Sequence, residues 1–543
     1  MAITRRVLLV SRSAIAALST LSVRAGPPGP MSLFRRKPIA VLIAAATPEE
    51  HGLKKSLTLI DLIALGIGAI IGAGIFAILG SASSGGGNAA PAGPGVLVSI
   101  LLTAVASGFC ALCYAEFASL VPVAGSAYTY SYATLGELVA WIIGWDLILE
   151  YAVGNIAVAI SWAAYFRQLL LGVGIPVPAW MATDYRSAQL AAQAVANSGA
   201  MSLGPEMAVA YQAHEHHPLF LGLPVICNLL SVVITVFITW LLVIGIKESA
   251  RFNNVVVLLK VAVLFLFIVV GAFHINHANW HPFFPGGFPG VWRGASLMFF
   301  AYIGFDAIST AAEECQNTSR DMPRGIIGSL LICTVLYAIA ALVLTGMVPI
   351  GKLVGVADPL SAGLSYVNEG WAAGILAFGA VAAMTAVLLC FQMGQPRILM
   401  AMSRDGLLSP WFAKIHPKYR TPHVTTILTG VCVAVFSAVA NIDIIIELTN
   451  IGTLFAFVLV CIGILILRKR EPQHPRKFRV PFVPLVPILG ISMCVFLMAG
   501  LPRATWVRFL VWLFTGLVIY SLYGSRRSRL AGDDLSGDCA SRH

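Results

Sequence analysis

Charge is what this sequence has least of. Asp, Glu, Lys and Arg make up 11% of its 543 residues, while 58% are apolar and the mean hydropathy is +0.86. A water-soluble domain carries about 25% charged residues and fewer than about 50% apolar ones. So little charge cannot cover a water-facing surface, and a soluble enzyme is excluded. A Walker-type Gly-x-x-x-x-Gly-Lys-Ser/Thr motif is also absent, so ATP does not act through this chain. Ten cysteines make no disulfide scaffold, and eight of them sit inside apolar runs, where they read as packing residues. The pair Cys110-x-x-Cys113 lacks the soluble context of a redox motif. No cofactor is expected.

What the sequence has in abundance is long apolar segments, each near the roughly 20 residues that a bilayer crossing needs. Twelve can be drawn, at 57–80, 96–117, 136–168, 222–246, 252–273, 291–312, 325–348, 371–396, 424–440, 444–467, 484–501 and 506–523. With the N-terminus placed inside, 28 Lys/Arg fall in inside segments and 6 in outside ones. The positive-inside rule therefore puts both termini in the cytoplasm. The net charge of +11 is thus a topology signal, not a nucleic-acid footprint.

Residues 1–56 read as a cytoplasmic N-terminal segment, 57–523 as the transmembrane domain and 524–543 as a cytoplasmic tail. Stretch 1–30 resembles a signal sequence, but cleavage there would place Arg35, Arg36, Lys37, Lys54 and Lys55 outside, against the charge count. It reads as a dispensable extension, with Met31 as an alternative start. The longest outside segment, 172–221, carries His214, Glu215, His216 and His217, which read as a solvated turn rather than a metal site. Segment 471–484 is basic and proline-rich, a stiff connector near anionic headgroups.

The first span carries Gly66, Gly68, Gly72 and Gly74 within nine residues. The spacing is not that of a dinucleotide fingerprint, and it lies inside a membrane span. Two readings stand. Gly68 and Gly72 form a small-xxx-small pair suited to close helix packing. Alternatively the helix is broken at mid-membrane, since each glycine weakens it by up to about 1 kcal/mol. Unwound backbone at that depth is tolerated only where it lines a cavity, and there it can hold a carboxylate and an ammonium group.

Depth arithmetic favours the break. At 1.5 Å per helical residue, Gly68 lies roughly 16 Å from Leu57, Glu150 roughly 18 Å from Leu138, Lys260 roughly 13 Å from Arg251 and Asp306 roughly 21 Å from Trp292. All four converge near the midplane of a core about 30 Å thick. A charge there costs at least about 2.5–3.5 kcal/mol, so it reads as functional unless Lys260 merely pairs with a carboxylate. Burial disfavours charged lysine, so Lys260 could bind and release a proton beside the first helix and couple import to a proton gradient.

The sixth span reads Phe299-Phe300-Ala301-Tyr302-Ile303-Gly304-Phe305-Asp306 and ends in Glu313-Glu314. Gly304 is a plausible second break, with Phe300 and Phe305 as pocket walls. Tyr302, Asp306 and Glu313 recur at helical spacing. Glu116 and Glu137 lie at cytoplasmic ends, as solvated groups or as a gate. Asp146 stands one turn from Glu150 and can support it.

These residues carry a resemblance. Ser56–Asp61 running into GIGAIIGAGIF, Glu116 with PVAGSAYTY, FFAYIGFDAISTAAEE, NTSRDMPRGI and the stretch 395–422 resemble the amino acid/polyamine/organocation superfamily over about residues 31–525. The bacterial and animal cationic amino acid transporter branch is the most similar. The resemblance implies an all-α, twelve-helix membrane protein with the leucine-transporter-like 5+5 inverted repeat plus two helices. It implies alternating access at a site between helices one and six. Substrate would be bound by Gly66, Ile67, Gly68, Ala69, Ile70, Gly72, Ala73 and Gly74, and by Phe300, Ile303, Gly304, Phe305 and Asp306. Lys260, with Glu150, would carry the proton coupling. The expected activity is import of L-amino acids, cationic or neutral, by proton symport across the inner membrane. An exchanger or polyamine carrier is the alternative within transport, and a non-transporting sensor lies outside it. The expected partners are the amino acid, protons and the lipid bilayer, with no nucleic acid; oligomeric state is left open.

Overall fold

The computed structural model of the protein describes residues 35–36, 57–85, 89–120, 126–198, 205–245, 250–306, 308–309, 315–419, 421–473, 476 and 478–529. The signal-like stretch 1–30, Met31, Glu313 and Glu314 lie outside the described residues. In chain order the helices are α1 (Leu59–Ile70), α2 (Leu79–Ser84), α3 (Val96–Leu120), α4 (Ser126–Thr134) and α5 (Glu137–Gly172). Next come α6 (Tyr185–Ser198), α7 (Pro205–Glu215), α8 (Leu229–Ile244), α9 (Ala250–Ala272), α10 (Gly287–Met298) and α11 (Thr318–Met347). The rest are α12 (Pro359–Tyr366), α13 (Gly370–Arg404), α14 (His423–Val439), α15 (Ile442–Arg470), α16 (Leu485–Ala499) and α17 (Arg503–Ile519).

Among the described residues, 8 helical segments are long and apolar enough to cross a membrane, and α8, α14 and α16 are shorter apolar helices. Each of the twelve apolar segments read from the sequence contains some helix among its described residues. The chain is a multi-pass membrane protein. Its outward face shows why: Val233, Val236, Phe237 and Trp240 on α8, Val431, Val435 and Phe436 on α14, and Val507, Leu510, Val511 and Phe514 on α17 are all exposed. Water would not tolerate that much contiguous apolar surface, whereas lipid tails match it.

Polar residues set the helix boundaries. Thr58 and Asp61 form a reciprocal cap at the start of α1, with Thr58 N–H and Oγ1 donating to Asp61 Oδ2 at 2.9 and 2.7 Å. Asn254 of α9 donates to the other Asp61 oxygen at 3.0 Å, tying α1 to α9. The fourth apolar segment becomes helical at Leu229 rather than 222. A hairpin of β1 (Leu219–Phe220) and β2 (Leu223–Pro224) turns through Gly222, and Asn228 Oδ1 then caps α8 by accepting from Ser231 N–H.

Segment 172–221 holds two helices, α6 and α7. Its alanines and glutamines are good helix formers, and Ala188, Ala213 and Ile226 bury a small core against Trp180. His214 lies in the last turn of α7 and His217 just past its end, with His217 Nδ1 only 2.8 Å from the His214 carbonyl oxygen. Among the described residues no three His, Cys, Asp or Glu gather as a metal site.

At the other membrane face, Glu116 closes α3 fully buried. Its carboxylate accepts from Arg468 Nε and Nη2 at 2.8 and 2.7 Å and from Val480 N–H at 2.8 Å, and Arg476 Nε lies 3.2 Å away. This cluster pins the 471–484 connector to the bundle, a role the sequence reading of Glu116 as a solvated end or gate did not include. Removing one member of a buried ion cluster strands the others without compensation, at about 3–5 kcal/mol. Glu116→Ala should therefore lower the thermal unfolding midpoint of the purified protein markedly. An unchanged midpoint would mean the cluster does not hold this face together.

Candidate functional site

Helix α1 stops at Ile70, and Ile71 turns to extended backbone at φ −74°, ψ 101°. The chain resumes helical geometry as a wide turn at Gly74–Ile78 and continues into α2. Helix α10 stops at Met298, tightens over Phe299–Tyr302, and breaks at Ile303 and Gly304. Gly304 has φ +115°, which a side chain would make costly. Tyr302 and Asp306 therefore do not share a continuous helical face, contrary to their spacing.

The two breaks meet. A Cβ on Gly74 would stand 2.2 Å from Ala301 Cα, and one on Gly304 would stand 2.8 Å from the Ala69 carbonyl oxygen. Around this crossing, Gly66 faces Ser329 and Ile308, Gly68 faces Val257 and Asn253, and Gly72 faces Val387. The glycine run thus serves both readings: it packs closely and it is interrupted.

Interruption frees carbonyls, and named side chains take them. Lys260, with no exposed surface, donates from Nζ to Gly68 O at 2.6 Å. Tyr337 OH donates to Ile70 O at 2.9 Å and Tyr165 OH to Phe76 O at 2.5 Å. The N–H groups that open the outer half-helix have no partner within it, so the gap at Ile71–Ala73 presents donors as well. Ile67, Ala69, Ile70, Ala73, Phe300, Ile303 and Phe305 are all buried around it.

Carboxylates gather on the α5 side. Glu150 and Asp306, each 4% exposed, interact electrostatically with one another, as Glu150 does with Asp146. Thr453 is hydrogen-bonded to Glu150, yet Glu150 Oε2 and both Asp146 oxygens have no hydrogen bond among the described residues. Apolar rings close the site: Phe305 packs on Tyr114 and Phe457, with ring centres 5.8 and 5.1 Å apart. The structure thus sets Lys260 against the backbone of the broken helix, and Glu150 beside Asp306 against the pocket rings.

Several contributors went unnoticed in the sequence. Tyr165, Tyr337 and Tyr114 look like ordinary aromatic packing there. Asn155, Gln392 and Asn450 did carry a signal, because uncharged amides inside apolar spans need partners. Asn155 donates to Gln392, Gln392 to Thr239, and Asn450 to the Ser296 carbonyl at the end of α10.

Known proteins match the chain over nearly its whole span. The amino acid permease family model matches residues 57–522. The branched-chain amino acid permease BcaP of Bacillus subtilis (strain 168) is 46% identical over 92% of this chain and 99% of its own. A methylthioribose transporter of the same organism is 43% identical over the same shares. The vacuolar cationic amino acid transporter 4 of Arabidopsis thaliana is 34% identical over 81% of this chain and 68% of its own.

Proposed function

This chain belongs to the amino acid permease family of the amino acid/polyamine/organocation superfamily, and on that premise we propose that it imports L-amino acids by proton symport with alternating access. The proposed architecture is twelve transmembrane helices in a leucine-transporter-like 5+5 inverted repeat with two helices added. In it, residues 1–56 and 524–543 are cytoplasmic, 1–30 is a dispensable extension, and the bilayer is the inner membrane. The excess of basic residues on one side supports that orientation.

One observation carries the function: two interrupted helices cross in contact, beside buried carboxylates and a buried lysine. Peptide N–H groups at Gly72, Ala73 and Gly74 suit the substrate carboxylate. Asp306 suits its ammonium group. Phe300, Ile303, Phe305 and Phe457 make a wall for an apolar side chain, which agrees with the branched-chain amino acids named for the BcaP relative. A proton on Lys260 holds Gly68 and hence the inner half of the first helix; its loss releases that helix. Glu150, beside Asp306, is the second proton-handling group.

Proteoliposomes and a panel of labelled L-leucine, L-isoleucine, L-valine, L-lysine and L-arginine test this reading. At least one should accumulate only with an inward proton gradient. Gradient-insensitive uptake would sink symport, and efflux accelerated by external substrate would make the protein an exchanger. The 43% identical relative favours one further probe, methylthioribose, whose apolar methylthio end suits the same wall.

A further inference from the structure

A cavity of about 190 Å³ lies outside the mid-membrane crossing, between the outer half of the first helix, α5, the start of α15 and the outside segment. It holds roughly six waters' worth of volume at about 30 Å³ each, the bulk of a small amine. The outside segment, whose purpose the sequence left open, supplies a third of its lining through residues such as Asp184, Leu190 and Met207. Ile78, Ile160 and Ile446 complete an apolar wall.

The polar side of the cavity is acidic. Asp184 is buried and caps α6, accepting from Ser187 N–H at 2.9 Å and Oγ at 2.5 Å. Asp443 lines the same space and has no hydrogen bond or ion pair among the described residues. The charges that act on it are Asp184, Glu447, Arg293 and Arg186. Arg293 is already committed to Glu447, and exposed Arg186 lies outside the lining. Two carboxylates therefore line one partly open cavity, and among the described residues no Lys, Arg or His lines it. A carboxylate so placed is stabilised by a counter-charge, and the volume beside it is apolar.

We propose that this cavity is a binding site for an organic ammonium compound with a small apolar body. Asp443 and Asp184 take the ammonium group, and Ile78, Ile160 and Leu190 take the apolar part. Because Ile78 belongs to the turn whose Phe76 carbonyl is held by Tyr165, an occupant touches the outer half-helix directly. The site does not depend on the transport reading, so it is tested by binding.

The experiment is calorimetric titration of isopentylamine, with isopentanol as the uncharged control, into the full-length protein in lipid nanodiscs. The amine should bind and the alcohol should not. Asp443→Asn should weaken binding about tenfold or more, as expected for loss of a close charge partner. Ala182→Phe, which fills the cavity from the loop side, should do the same. Gly108→Ala, outside both sites, should leave binding unchanged. Absent amine binding overturns the proposal, as does equal binding by Asp443→Asn. Loss with Asp306→Asn but not with Asp443→Asn also overturns it, by moving the amine to the mid-membrane site.

Discussion

Lys260→Met is expected to abolish gradient-driven accumulation while the protein still inserts and folds. Methionine keeps the length and apolar stem of lysine, so packing inside the bundle changes little. What disappears is the only lysine within the twelve spans read from the sequence, and with it the bond from Nζ to Gly68 O. That bond joins α9 to the inner half of the first helix at the point just before it unwinds. Without it, the position of α1 no longer depends on a proton at residue 260. Size-exclusion profiles should match wild type, and uptake should become independent of the proton gradient or vanish. If Lys260→Met accumulated substrate as wild type does, the coupling proton would reside elsewhere, and Glu150 with Asp306 would be the next pair to test.

The second large effect is expected at the crossing of the two breaks. Gly74→Val puts a Cβ where Ala301 Cα and Cβ already stand, at 2.2 and 2.6 Å, and backbone cannot step aside as a side-chain tip can. Overpacking of this kind costs about 1–3 kcal/mol or more, and here it also prises apart the peptide groups proposed to hold substrate. Transport should fall to background. Gly304→Val adds a second fault, because φ +115° is strained for any side chain. Gly108→Ala is the control. Its methyl meets nothing nearer than Leu330 Cδ2 at 4.0 Å, and alanine favours helix, so transport should stay at the wild-type level. Normal transport by Gly74→Val would mean that the half-helices do not touch during the cycle.

The two predictions differ in how legible their residues were. Lys260 was conspicuous in one dimension, since the only bland explanation for a lone lysine in an apolar run is a static pair with a carboxylate. Its partner was not, because a backbone carbonyl carries no sequence signature. The glycines were visible too, but packing and unwinding place the same residue at the same spacing. Only the positions of Ala301, Ala69 and Val387 show that both apply. Glu116 was seen as a solvated end or a gate, and burial removes the first reading: a carboxylate at a helix end looks solvated until Arg468 and Arg476 arrive from more than 350 residues away. The cavity at Asp443 was invisible, since its lining comes from segments scattered between Ala77 and Ile446.

By itself the sequence determined the medium, the segments and the expected depth of the chemistry. Those follow from composition and run length, which act locally: apolar side chains seek lipid wherever they stand, and 1.5 Å per residue converts position into depth. The tertiary structure decided which groups at that depth face one another. It set Lys260 on Gly68, Glu150 beside Asp306, and the outer segment over a cavity of its own. Depth is one coordinate, and helices at equal depth still choose their neighbours and their rotation. Packing fixes that choice through glycine contacts, aromatic rings and buried ion clusters, each built from residues far apart in the chain.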